Sequence, residues 1–182
     1  HGMVGGITGW TAKRSTDSEV AAWSKNSDLG ICVQTRLVRA FDVDIAAPAI
    51  SADVRDRIEM CAGSLPCRSR PNSGKLLLAF RMQGDFRKDR IETEHGPIEF
   101  LATGQQFIAV GTHPSGVRYE WEGLGDAIPE LTPDEFGVIW QALSDAYGTR
   151  DESGSHTPAA RGRVDAGPEG DLDRQVTLNR VN

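Results

Sequence analysis

The chain has 182 residues, 38% of them hydrophobic and 25% charged, with a net charge of −6. That is an ordinary globular mix, sized for one domain or one domain plus a tail. No apolar run approaches the roughly 20 residues that span a bilayer, no signal peptide is visible, and His-Gly-Met at the start reads as an expression remnant. The three cysteines, Cys32, Cys61 and Cys67, form no C-x-x-C pair. A zinc ribbon or a disulfide framework is therefore not expected, no zinc is expected, and a cytoplasmic protein without membrane contact is the default.

In chain order, "STDSEVAAWSK" predicts a short helix, with Thr16 and Glu19 spaced as a capping box. "LGICV" and "TRLVRAFDVDI" predict two strands joined by a tight turn. "SADVRDRIEMCAG" predicts a helix capped by Ser51 and stopped by Gly63. "GKLLLAFRMQ" predicts a strand after the turn-rich "RPNSG". "GPIEFLA" and "QQFIAVGT" predict a hairpin across Thr103-Gly104, and "VRYEWEG" a further short strand. "TPDEFGVIWQALSDAYG" is the clearest helix: Thr132 as cap, Pro133 first, Glu135 closing a capping box, Gly148 as stop. Its Phe136, Ile139, Trp140 and Leu143 form one apolar stripe facing the core. From Thr149 the sequence loses apolar periodicity and fills with Gly, Pro, Ser and charge. Residues 149–182 therefore read as a flexible tail or linker behind a domain over residues 1–148. Mixed helices and adjacent strands predict an α+β fold.

Charge is unevenly spread. Between Ser64 and Arg90 there are seven basic residues and two acids, and between Glu122 and Glu135 five acids and no base. The basic stretch suits either a phosphate-binding groove or a solvated strand edge.

"FDVDI" is the chemical signal. A strand alternates its side chains, so Asp42 and Asp44 share one face and Phe41, Val43 and Ile45 the other. The two carboxylates stand roughly 7 Å apart and repel, so something positive is expected between them. A hard divalent cation suits such oxygen ligands, with Glu99, flanked by Ile98 and Phe100, as the best third acid. A D-x-D pair is also compatible with solvated acids on an exposed strand face, and it occurs in sugar-nucleotide transferases. Arg68, Arg70 and Lys75 flank the Pro71–Gly74 turn, which could form an anion nest; it is no Walker motif. His113, beside Pro114 on a loop, is either a phosphate contact or a surface histidine.

Taken together, "FDVDI", "RSRPNSGKLLLAFR" and "IEFLATGQQFIAVGTHPSGVRYEW" resemble the N-terminal primase-polymerase domain of phage and plasmid replication proteins, of the archaeo-eukaryotic primase superfamily. "AWSKNSDLGICVQT" resembles the segment before the acid pair, and the resemblance runs from about Trp10 to about Ala146. It implies an archaeo-eukaryotic primase-like catalytic core: an RRM-like antiparallel sheet plus a small N-terminal α/β unit, with the active site between them. Asp42 and Asp44 match the first motif and Glu99 the third, which implies a two-metal site for magnesium or manganese. The second motif usually carries a histidine, absent from "RPNSGKLLL". Arg70, Ser73 or Lys75, or His113 from another strand, are left to contact the triphosphate, with Arg68 in the same basic stretch.

The implied activity is template-directed nucleotidyl transfer from an NTP or dNTP onto a primer end or initiating nucleotide on single-stranded DNA. A helicase, following in a longer chain or separate, is a possible partner. Members of the family it resembles usually carry more sequence before Gly9-Trp10, which implies that a first strand is missing here. Two rival readings stand beside this one: a non-catalytic replication-initiation or DNA-binding module, and a metal-dependent nuclease using the same acids.

Overall fold

A computed structural model describes residues 12–23, 25, 29–149 and 176–180. The elements follow as α1 (Asp17–Trp23), β1 (Leu29–Thr35), β2 (Val38–Val43), α2 (Pro48–Ala62), β3 (Cys67–Ser69) and β4 (Leu76–Arg81). After them come β5 (Asp89–Ile91), β6 (Ile98–Leu101), β7 (Gln105–Val110), β8 (Glu120–Glu122), α3 (Pro133–Tyr147) and β9 (Val176–Arg180). The fold is α+β, with every paired strand in the two sheets antiparallel.

Among the described residues, one sheet has the order β5-β6-β2-β4-β3-β8 and the other β7-β1-β9. β9 lies inside the stretch expected as a tail and pairs along β1 from Leu29 to Val33. The rest of that stretch, 150–175 and 181–182, and the expected segment around Trp10, lie outside the described residues.

The larger sheet has two unlike faces, and the period-two pattern is the cause. Phe41, Val43, Leu76, Leu78, Phe80, Ile98 and Phe100 turn one way and join Val54 and Ile58 of α2 and Ile139 and Leu143 of α3 in the main core. The predicted stripe of α3 lands here: Phe136 stacks on Phe41 at 5.6 Å and meets Phe100 at a tilt at 4.2 Å, and Trp140 stacks on Phe136. Truncating one such buried ring costs about 3–5 kcal/mol, so this layer fixes the sheet. On the opposite face, Ala40, Leu77, Ala79 and Leu101 meet Phe107 and Ala109 of β7 in a second, smaller core, with Val33 of β1 beside it. The small sheet thus covers the apolar end of that face only.

Both expected capping boxes are present. Thr16 and Glu19 close one at 2.8 and 3.2 Å, and Thr132 and Glu135 the other at 2.7 and 3.2 Å. Two local expectations are corrected. Ser51 does not cap α2: the helix starts a turn earlier at Pro48, whose missing N–H costs nothing there, and the Ser51 hydroxyl donates to the Ile45 carbonyl at 3.0 Å. β6 and β7 are not a hairpin. The chain does reverse tightly, with the Gln105 N–H donating to the Ala102 carbonyl at 3.2 Å, but β6 pairs with β2 and β7 with β1. β1 and β2 are joined by the expected tight connection, and they lie in different sheets.

Candidate functional site

Register assembles the site. Asp42 on β2 faces Glu99 on β6 directly, and Glu99 faces Arg90 on β5. On the other side Asp42 faces Leu77, Leu77 faces Arg68, and Arg68 faces Trp121. Directly opposed residues point to the same face. Arg90, Glu99, Asp42, Leu77, Arg68 and Trp121 therefore form one row across the sheet, on the face away from the helices, meeting the small core at Leu77 and Trp121.

Asp44 follows on the same face, and two glycines fix its main chain. The Asp44 N–H donates to the Pro97 carbonyl at 2.9 Å. A Cβ on Gly96, whose φ is +123°, would stand 2.4 Å from the Asp44 carbonyl oxygen, and one on Gly74 would stand 2.5 Å from that of Ala46. Only glycine allows backbones to approach so closely from both sides.

The expectation of positive charge among the acids holds. Lys75 forms an ion pair with Asp44. Glu99 is shared by Lys88 at 2.8 Å and Arg90 at 3.1 Å, and Arg90 also grips Glu92 at 2.5 Å. The Asp42 side chain makes no hydrogen bond or ion pair among the described residues. Burial pushes its carboxyl above the ordinary carboxylate range, and the charges of Asp44 and Glu99 add to that, while Arg68 and Lys75 pull it back. Burial likewise works against the Arg68 charge, and Asp42 restores part of it.

Arg68 is held from two sides. It donates to the Ile108 carbonyl of β7, and its guanidinium lies 4.5 Å from the Tyr119 ring centroid; its buried Nε has no hydrogen-bond partner among the described residues. Together with the Trp121 indole N–H, which donates to the Ala109 carbonyl at 2.7 Å, it ties the two sheets together. His113 meets the same Tyr119 edge-on at 6.1 Å. The His113 N–H donates to the Val117 carbonyl at 2.8 Å, closing a His-Pro-Ser-Gly turn in which Gly116 takes φ +83°. Within that turn the Ser115 N–H donates to His113 Nδ1 at 3.1 Å, so the neutral ring carries its proton on Nε2. Desolvation, then the charges of Arg70 and Lys75, hold the imidazole below its ordinary value. Ser73 is spent locally, accepting from the Lys75 N–H at 3.2 Å.

The sequence-predicted residues therefore gather on one face, with Asp42, Asp44 and Glu99 central and Arg68, Arg70, Lys75 and His113 to one side. Sequence reasoning missed Lys88 and Arg90 as partners of Glu99, and Tyr119 as the ring between Arg68 and His113. Their signal was available: Lys88, Arg90 and Glu92 alternate with Asp89 and Ile91 as strand neighbours do.

The donor set suits a hard divalent cation, since it is all carboxylate and no thiolate stands among it. Among the described residues, however, no three Asp, Glu, His or Cys side chains converge as a metal-holding group. Asp44 and Glu99 are instead drawn into ion pairs, with Lys75 and with Lys88 and Arg90. Among the described residues no helix is long and apolar enough to cross a membrane.

This is a charged, half-covered sheet face with acids in the middle and bases around them. The family model described as the N-terminal domain of bifunctional DNA primase/polymerase (Prim-Pol) matches residues 4–135, and the chain belongs to that family. No curated protein and no solved structure matches the chain.

Proposed function

We propose that the chain is the catalytic core of a primase-polymerase of the archaeo-eukaryotic primase kind, with an RRM-like sheet and a small N-terminal α/β unit. It would transfer a nucleotidyl group from an NTP or dNTP to a primer end, or to an initiating nucleotide, on single-stranded DNA. One observation carries the reading: in a chain of this family, Asp42 faces Glu99 across β2 and β6 with Asp44 on the same face.

In the reaction the 3′-oxygen attacks the α-phosphorus of the incoming nucleotide, a new P–O ester bond forms, and the bond to the β-phosphate bridge breaks, releasing pyrophosphate. Asp42, Asp44 and Glu99 would hold two magnesium or manganese ions. Such ions, when bound, make the 3′-hydroxyl more acidic and neutralise charge on the leaving pyrophosphate. Lys75 would leave Asp44 for a phosphate oxygen. Arg68 and Arg70 supply guanidinium forks, and neutral His113 donates from Nε2. Ser73 keeps the turn that carries Lys75. The Tyr119 ring holds Arg68 in orientation. The reading implies a cytoplasmic protein acting with template, primer and nucleotide, and beside a helicase where one is present.

A second reading, a non-catalytic DNA-binding module, is favoured by the ion pairs that already neutralise Asp44 and Glu99. The test is an incorporation assay with labelled NTPs or dNTPs on primed and unprimed single-stranded DNA, in magnesium or manganese. Template-dependent products support the polymerase. DNA binding without products supports the module, and shortened DNA supports a nuclease.

A further inference from the structure

The acids stand in the middle of the charged row, with a basic group on each side. Counting along Arg90–Glu99–Asp42–Leu77–Arg68, the two arginines are four strand spacings apart, about 19 Å at about 4.8 Å per spacing. One flank is Arg68, Arg70, Lys75 and His113. The other is Lys88 and Arg90, both on the Glu99 face. Asp89, between them, points the opposite way and accepts from the Trp140 indole N–H at 2.9 Å, which anchors β5 to α3 and fixes the direction of its neighbours.

We infer that the two flanks take different parts of the substrate: the Arg68–His113 flank takes the triphosphate of the incoming nucleotide, and Lys88 with Arg90 takes the sugar–phosphate backbone of the primer–template DNA. The inference rests on the polymerase reading above. In an in-line displacement at phosphorus, the attacking and leaving oxygens lie on opposite sides of the reacting phosphate. The DNA end and the pyrophosphate must therefore extend from the acids in opposite directions, and a base on each side is what that geometry requires.

The character of each flank decides which is which. The first is compact and fixed: Arg68 is clamped by Tyr119 and the Ile108 carbonyl, its Nε without a hydrogen-bond partner among the described residues, and the His113 ring is set by Ser115. That suits a small, densely charged group. The second lies on β5, the end of the sheet order among the described residues, with side chains 39% and 46% exposed. A polymer can run past such an edge and leave the molecule. Glu99 would hold a cation only by giving up its ion pair with Lys88, whose charge would then be available to phosphate.

The test compares Lys88→Ala/Arg90→Ala with Arg70→Ala/His113→Ala. Binding of a fluorescent primer–template DNA is followed by anisotropy across a salt series, in magnesium and without nucleotide. Thermal stabilisation by a nucleoside triphosphate is measured in parallel. The Lys88/Arg90 variant should lose about tenfold or more in DNA affinity, with a salt slope shallower by roughly two, while keeping the nucleotide-induced shift. The Arg70/His113 variant should do the reverse, and Lys88→Arg/Arg90→Lys should bind DNA like wild type. Wild-type DNA affinity in the Lys88/Arg90 variant, or loss of its nucleotide shift with DNA binding kept, overturns the inference. The binding measurements need no turnover, so they fail separately from the incorporation assay that tests the polymerase reading.

Discussion

Asp42 and Glu99 stand directly opposite each other on antiparallel strands, two carboxylates on one sheet face. Like charges in that relationship cost about 0.2–1 kcal/mol. Asp42 is also half-buried and has no partner of its own among the described residues, whereas Glu99 has two. The fold carries an unfavourable charge at this position.

Neutralising Asp42 should therefore help the fold while harming the activity. Asp42→Asn keeps the side-chain shape and removes the repulsion. It is expected to raise the melting temperature by about 2–4 °C, for about 1 kcal/mol, in metal-free buffer. Magnesium should stabilise wild type and leave the variant unchanged. Scanning fluorimetry with and without magnesium checks this, and a variant less stable than wild type in both buffers would reassign Asp42 to a structural role.

Gly96 should be intolerant of change. Alanine there would carry φ +123° and press its methyl group onto the Asp44 carbonyl oxygen. Main chain must move, so Gly96→Ala is expected to cost about 2–4 kcal/mol in urea unfolding and to displace Asp44. Gly104, also at positive φ but in open space, gives the control. Its alanine variant bears the conformational cost alone, about 1 kcal/mol.

Arg39 is the charge inside the fold. It is almost wholly inaccessible, and it donates to the Thr103 hydroxyl at 2.9 Å and the Gly84 carbonyl at 2.6 Å. Burial pulls its guanidinium down to about 10, against the opposing pull of Asp85. Arg39→Ala leaves those acceptors and a cavity behind, a loss of about 2–4 kcal/mol, and Arg39→Met, which fills the space, should lose less. Equal losses would show that the hydrogen bonds, not the volume, dominate.

The cap of α3 should be lost in acid. The Thr132 N–H holds the Glu135 carboxyl below its ordinary value, with the Thr132 hydroxyl adding to it. A folded value below the unfolded one gives stability that is present above the unfolded value and lost as pH falls through the folded one. The gap in stability between wild type and Glu135→Ala should therefore be full at pH 7 and shrink below about pH 4, when followed by circular dichroism. A gap that does not change with pH would remove Glu135 from the cap.

The legible part of the sequence was what local pattern encodes. Asp42 and Asp44 alternate with Phe41, Val43 and Ile45, so their shared face follows from the strand period alone. The box from Thr132 to Glu135 is written in four consecutive residues. Which strands pair was not legible. Ala102 to Gln105 turns the chain as a hairpin would, yet Ile98 and Phe100 are drawn to the helix side while Phe107 and Ala109 fill the second core, so the two strands part. The Glu99 partnership with Lys88 and Arg90 depends on that long-range order, because β5 reaches Glu99 only once β6 lies beside it.

The most direct test of the central claim is a single-turnover nucleotide incorporation series on primed single-stranded DNA with wild type, Asp42→Asn, Glu99→Gln and the double variant. If the facing carboxylates act as one unit, each single change should reduce the rate by about as much as both together, because the second removal finds nothing left to disable. Additive losses, or wild-type rates in either single variant, would contradict the account.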